Sequence, residues 1–452
     1  MVVSNLYQKE KLMNQTLSMS NIIKRFKESW QSLPDYRQPN NNKRYEISDA
    51  ALAAFSVFFM QSPSFLAHQR DMHQRKGKDN VVSLFGVEKI PSDNQIRTLL
   101  DPVTPDYFHG DFAWVYQELE QNGRLVAFQD YQSTYLVAFD GVVYHSSEKI
   151  HCDNCTLRQD RNGTTHYYHS AIIPVMVKPD SPHVLSLPPE CIVPQDGHEK
   201  QDCERAAVKR WLQLHHAQYQ PQTVTFLGDD LYANQPLCHL IAQSYQQFFV
   251  FVCKPDYHTA LYEWLDSLAS VGGLETRPER RWNGRHGEIW SYRFINQVPL
   301  RAGDEAMRVN WLELTITHEE TGKQLFRNSW VTNHPVSLKN VLHLAKIGRT
   351  RWKVENENIN VLKTKGYNLN HNFGHGQHHL ANVFFSLTLL AFLIHTAQHL
   401  LNKTYRLLRD TLAVRRTFFN DLKALTRYMV FNNWESLFEF MIDGLELELP
   451  PP

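Results

Sequence analysis

A net charge, a cysteine framework and an unbroken apolar run of membrane length are all missing from this 452-residue chain. Lys plus Arg is 47 and Asp plus Glu is 47, so the whole chain lacks the basic excess typical of a nucleic-acid binder. Six cysteines in a chain of this length exclude a disulfide scaffold. The first residues, MVVSNLYQKEKLMNQ, hold no apolar signal core, which leads us to expect a reducing, cytoplasmic setting. The stretch closest to a membrane span is Leu380 to Leu401. Asn382, Ser386, Thr388, His395, Gln398 and His399 interrupt it, so it reads as a buried core helix and no membrane contact is expected. What is present is ordinary globular material: hydrophobic residues are 42% and charged residues 21%, which excludes disorder throughout. The length calls for two or three domains, and no internal repeat is visible.

The pattern along the chain changes three times. Residues 1–20 are polar and expected to be loose, and 21–130 read as an all-helical domain in which Ser92 caps a helix carrying Ile96, Leu99 and Leu100. From 131 to 258 the apolar runs TYLVAFD (134–140), YYHSAIIPVMVK (167–178), HVLSL (183–187), TVTFLGDD (223–230) and FFVFVC (248–253) read as buried strands, with a helix at 204–216. That alternation predicts an α/β unit built on one sheet. Residues 259–335 read as a β-rich insertion with turns at Asn283-Gly284 and Thr321-Gly322. Residues 336–402 return to helices, and 403–452 form a C-terminal helical segment.

Carboxylates carry the chemical signal. Asp140 and Asp229 are expected at the C-terminal ends of buried strands, the rim where open α/β sheets place ligands; Asp230 is the alternative to Asp229. In RWKVENENINVL, the spacing of Trp352, Glu355, Ile359 and Leu362 puts Glu355 on the apolar face of a helix. A carboxylate there is expensive unless something binds it. Three such carboxylates suit a pair of Mg²⁺ or Mn²⁺ ions, about 3.5–4 Å apart, clamping the two oxygens of an in-line phosphoryl displacement.

The stretch from Asp140 to Lys365 resembles bacterial insertion-sequence transposases of the DDE type, with a ribonuclease H-like core, through VAFDG, LGDDLY, SWVTN and RTRWKVENENINVLKTKG. In many relatives the glutamate helix reads Y-x2-R-x3-E-x6-K. Here Arg351 and Glu355 keep their gap, whereas Gly348 stands at the tyrosine position, Leu362 at the lysine position and Lys363 one residue later, roughly 100° round an α-helix. An aromatic three residues beyond the metal ligand, Tyr232, favours Asp229 over Asp230. The resemblance implies a ribonuclease H-like α/β core with a β-rich insertion of the cut-and-paste type, preceded by helices that recognise element ends. It also implies Asp140, Asp229 and Glu355 as catalytic metal ligands, double-stranded DNA with terminal inverted repeats and target DNA as partners, and a homo-oligomer in the DNA complex. In such insertions a tryptophan can stack on a flipped base, and Trp282, Trp290, Trp311 and Trp330 are the candidates. A metal-dependent nuclease without strand transfer, and a non-catalytic DNA-binding derivative, are the rival readings.

Local charge agrees with a nucleic-acid partner. Between Asn340 and Val430 thirteen Lys and Arg face only Glu355, Glu357, Asp410 and Asp421. Arg349, Arg351, Lys353, Lys363 and Lys365 are the candidate phosphate contacts. HCDNC (151–155) offers Cys152 and Cys155 for a structural Zn²⁺ that His169, His198 or Cys203 would complete, against the alternative of reduced thiols in a turn. His371, His375, His378 and His379 read as a loop near DNA, because Gly374 and Gly376 interrupt any helix that would align them.

Overall fold

The computed structural model describes residues 17–38, 43–72, 79–194 and 200–448. Most of the expected loose segment 1–20 therefore lies outside the described residues, while Ser18 already caps the first helix through the Asn21 N–H. The N-terminal part is helical as expected: α1 (Met19–Trp30), α2 (Ile47–Phe59), α3 (Phe65–Met72), α4 (Asn80–Phe85), α5 (Asp93–Leu100) and α6 (His109–Gln121). Ser92 accepts the Gln95 N–H and starts α5, the capping the sequence announced.

The α/β part follows with β1 (Tyr135–Ser147), β2 (Thr156–Gln159), β3 (Thr165–Val177), β4 (Leu185–Ser186), β5 (Glu190–Cys191), α7 (Lys200–His215), β6 (Val224–Gly228), α8 (Gln235–His239) and β7 (Phe248–Val252). Helix α9 (Thr259–Ser270) leads into β8 (Glu275–Trp282), β9 (Gly287–Pro299), β10 (Arg308–His318) and β11 (Gln324–Thr332). All eleven strands form one mixed sheet in the order β2-β3-β1-β6-β7-β11-β10-β9-β8, with β4 and β5 on the same edge of β3 as β2. The strand-rich segment 259–335 is thus continuous with the central sheet, because β11 pairs antiparallel with β7 from Trp330↔Val252 to Thr332↔Val250. β1 and β3 are antiparallel, whereas β1, β6 and β7 run parallel.

The last part holds α10 (Val341–Thr350), a π-helical turn (Val354–Ile359), α11 (Asn360–Thr364), α12 (Leu380–Leu401), α13 (Lys403–Thr411), α14 (Arg415–Tyr428) and α15 (Trp434–Gly444). Helix α12 is the one helix among the described residues long and apolar enough to cross a bilayer, and 94% of its apolar window is buried inside the protein. It is a core helix, as its polar interruptions indicated. No residue of its own caps its N-terminus; Asp101, just beyond α5, accepts the N–H groups of Gln377, His378 and Leu380.

The helices at the two ends of the chain close over one another. Asn80 donates to the carbonyls of Thr426 and Met429 and accepts the Phe431 N–H. The Trp434 indole donates to Leu84 O at 2.7 Å, and His395 is buried between the Tyr405 hydroxyl and Phe59 O. One apolar core therefore runs from α1 through α12 to α15 and onto one face of the sheet, while a second covers the opposite face under α7, α8 and α9. The N-terminal helices and the C-terminal segment are a single helical body rather than two separate modules.

Gly348 shows how closely α10 sits on the sheet. A Cβ there would lie 2.6 Å from Trp330 Nε1 and Cε2, and Trp330 is fully buried in β11. The indole occupies the space that a side chain at position 348 would need, which accounts for glycine at that position. Gly348→Ala gains about 1 kcal/mol of helix propensity but meets an overpacking cost of about 1–3 kcal/mol. We expect a net destabilisation, read as a lower urea midpoint; an unchanged or higher midpoint would contradict the packing.

Candidate functional site

The site is built where parallel pairing ends. Ala138 of β1 is level with Leu227 of β6, so continuing that register by two residues sets Asp140 level with Asp229. Asp140 does not end its strand, as the sequence suggested. β1 runs on to Ser147 because its pairing with β3 continues past Asp140↔Ile173. Asp140 instead marks the point where β1 loses its β6 neighbour and becomes accessible from one side. Asp229 does sit at a strand end: it follows Gly228 and accepts the Leu231 N–H at 2.9 Å. Gly228 is required there, since a Cβ would lie 2.5 Å from the Tyr232 ring, which packs into the core.

The adjacent Asp230 is drawn elsewhere. Its carboxylate takes the Lys254 N–H and lies 3.4 Å from His258 Nε2, in a cleft of about 850 Å³ whose lining also includes Asp229, Arg205 and Arg301. Asp229 is therefore the aspartate aligned with Asp140.

Arg351 joins the third carboxylate to the first. Its Nη1 is 3.5 Å from Asp140 Oδ2 and its Nη2 is 3.9 Å from Glu355 Oε2. The expected apolar face holds for Ile359 and Leu362, which are buried, and fails for Trp352 and Glu355. Trp352 is 42% exposed and the Glu355 side chain 62% exposed, whereas Val354, Asn358 and Leu362 face inward. The cause is the π turn at Val354–Ile359, which takes up one more residue than an α turn and shifts the phase of everything beyond it. Asn358 donates to Ser186 Oγ at 2.7 Å and ties this turn to β4. In an unbroken α-helix Lys363 would lie about 80° from Glu355; the extra residue reduces that to about 20°.

Burial pushes the Asp140 carboxyl up to about 6; Arg351 acts against this, while Glu355 and Asp229 add to it and the Gly141 N–H opposes it. Asp229 is likewise raised by burial, against the Leu231 N–H and Arg351. Asp140 and Glu355 share one guanidinium, and Asp229 lies at the neighbouring strand end; all three offer the oxygen donors that a hard cation takes. Glu355, on the helix side, is exposed.

The remaining candidates have separate surroundings. Arg349 stacks over the rings of Trp290 and Phe326, at 5.1 and 4.9 Å. Lys353 is buried and donates to Ser181 O at 2.6 Å, so its ammonium holds the loop before β4 rather than facing outward. Lys363 is half-buried and Lys365 exposed. Trp311 and Trp330 are core residues, Trp282 is 68% exposed, and Trp290 lies between Arg281 and Arg349. Trp290, Trp352, Arg281, Arg349 and Lys346 line a common groove beside α10.

Cys152 and Cys155 meet His169 and His375 in a buried cluster. His198 lies outside the described residues, and Cys203 belongs to the core under α7. The 371–379 histidines were expected in a loop near DNA rather than in a metal site; His371 and His378 are exposed, but His375 is buried in the Cys/His group. Gly376, at φ +73° and with Asp101 and Leu380 within 3 Å of any Cβ, turns the chain so that His375 points inward. Its partners lie more than 200 residues away, and no local pattern could have paired them.

Asp140 supplies a test of this electrostatic arrangement. Its pKa is raised, so the folded protein holds the proton more tightly than the unfolded chain. The resulting penalty is absent below about pH 4, grows as the pH climbs through about 6 and is complete above it. In EDTA at pH 8, Asp140→Asn should therefore raise stability by about 1–3 kcal/mol, and at pH 4 by nothing. Urea unfolding at the two pH values measures this, and a loss of stability at pH 8 would refute it.

No protein-family model matches the chain, and no curated protein matches it.

Proposed function

We propose that the protein is a DNA transposase of the DDE type, with a ribonuclease H-like core that cuts and joins DNA strands by metal-dependent phosphoryl transfer. The observation that carries this reading is the alignment of Asp140 and Asp229 on adjacent parallel strands with Glu355 brought in through Arg351. A strand pair that runs parallel exposes both carboxyl ends on one rim, which is what a shared cation site needs. Mg²⁺ or Mn²⁺ bound there would supply Lewis-acid activation of a water or 3′-hydroxyl and neutralise charge on the departing oxygen.

The chain's own residues would do the rest. Asp140, Asp229 and Glu355 would hold the cation, and Arg351 would keep the carboxylates from repelling one another until it binds. Lys363, returned by the π turn to the phase of Glu355, would contact a phosphate, with Lys365 beyond it. The groove beside α10, where Trp290 is flanked by Arg281 and Arg349, offers stacking together with positive charge, the pairing that suits single-stranded or distorted DNA. Double-stranded DNA with inverted repeats, target DNA and a homo-oligomer would be the partners.

Glu355→Ala should reduce Mg²⁺-dependent cleavage of a DNA carrying the flanking repeats by at least about 10²–10³-fold while leaving DNA binding nearly unchanged. Retained cleavage would remove the assignment. Supplying a pre-cut end with a target plasmid separates strand transfer from simple hydrolysis: a joined product supports the transposase, and cleavage with no joined product supports a nuclease. Lys363→Ala should weaken binding uniformly across DNA sequences and flatten the salt dependence by about one phosphate contact, measured by titration at several salt concentrations.

A further inference from the structure

A second polar cluster lies away from the carboxylates, at the far end of the β1–β3 ladder. Cys152 and Cys155 sit in the turn between β1 and β2, His169 is on β3, and His375 comes from the loop before α12. All four are buried: 9%, 6%, 2% and 6% exposed respectively. The Cys155 N–H donates to Cys152 O at 3.1 Å, so the C-x2-C turn sets both sulfurs on one side.

The separations between their donor atoms are those of one small tetrahedron. The two Sγ atoms are 4.0 Å apart, and His169 Nε2 lies 3.5 and 3.4 Å from them. His375 Nε2 is 3.3 Å from Cys155 Sγ and 3.1 Å from His169 Nε2. Zinc bonds of about 2.3 Å to sulfur and 2.0–2.1 Å to nitrogen at tetrahedral angles give edges of about 3.8 Å for S–S, 3.6 Å for S–N and 3.3 Å for N–N. Five of the six edges fall within about 0.3 Å of these, and the sixth, from Cys152 Sγ to His375 Nε2, is no longer than 4.8 Å. The sulfurs are far beyond the roughly 2.05 Å of a disulfide.

The orientation of His375 is fixed independently. Its Nδ1–H donates to Gly376 O at 2.8 Å, which leaves the Nε2 lone pair directed at the other three donors. Two sulfurs and two imidazole nitrogens form a closed, borderline-soft set, suited to Zn²⁺ rather than to Mg²⁺.

We propose that Cys152, Cys155, His169 and His375 bind one structural Zn²⁺, with both cysteines as thiolates that balance its charge. With four protein ligands the ion has no open position for substrate. It cross-links the β1–β3 hairpin, whose first strand carries Asp140, to the loop that leaves the glutamate helix and enters α12. Two further contacts hold the same loop: Asn154 donates to His378 O, and Asp101 takes its N–H groups. The ion thus fixes the position of β1 against the segment that follows Glu355, whatever reaction the carboxylates perform.

The test is metal content of the full chain purified without added metal, read by mass spectrometry of the elements. The wild type should carry about one zinc per chain and Asp140→Asn should retain it, whereas Cys155→Ser and His375→Ala should fall to near zero. Zinc retained in both of the latter variants, or lost in Asp140→Asn, would overturn the proposal. Because the ligand variants could fail to fold, chelator-stripped wild type is also titrated with Co²⁺. Intense visible bands of tetrahedral cobalt with a near-ultraviolet thiolate-to-cobalt band support the site; weak octahedral bands alone would overturn it.

Discussion

The charge on Arg351 is the interaction on which the candidate site depends. Asp140, Asp229 and Glu355 approach one another at an end of the sheet where Asp140 and Asp229 are largely shielded from water. Like charges repel one another more strongly there than they would in bulk water. One guanidinium offsets part of the repulsion among three carboxylates and does not cancel it. Burial is the largest cause of the raised pKa of Asp140, and Glu355 and Asp229 add to it. The protein keeps this cluster at a cost to its own stability, a pattern more common at functional sites than in structural ion pairs.

Backbone geometry creates that proximity. Parallel register between β1 and β6 sets the two aspartates level, and the antiparallel β3 keeps β1 straight beyond the point where β6 ends. Helix α10 lies close to the sheet because Gly348 leaves room for Trp330. The π turn then redirects Glu355 and Lys363. Each device is a close approach or an added residue, small in sequence and decisive in angle.

The rest of the molecule holds these parts in place. The sheet is covered on both faces, and the helical ends of the chain pack into one body around α12. Asp101 and the Cys/His cluster both act on the loop between α11 and α12, from the helical side and from the sheet side. The segment that carries Glu355 is therefore braced from two sides at its C-terminal end.

Much of this was legible in residue order. Apolar runs located the central strands within a few residues, Ser92 marked a helix start, and the polar interruptions of α12 identified it as core. Asp140, Asp229, Glu355 and Arg351 stood out by residue type and spacing. These features are local, set by side-chain period and by capping, so the sequence by itself determined them. The phase beyond Arg351 was misread because periodicity assumes 3.6 residues per turn, and the π turn breaks that assumption. The union of 259–335 with the central sheet, and of the two helical ends with each other, rests on pairings between distant segments. So does the choice of Asp229 over Asp230 as the partner of Asp140, which Lys254 and His258 decide by drawing Asp230 away. His375 is the sharpest case: Gly374 and Gly376 were legible as breaks in a helix, but only the tertiary structure could bring their histidine to Cys152 and Cys155, because contact across 220 residues leaves no trace in local spacing.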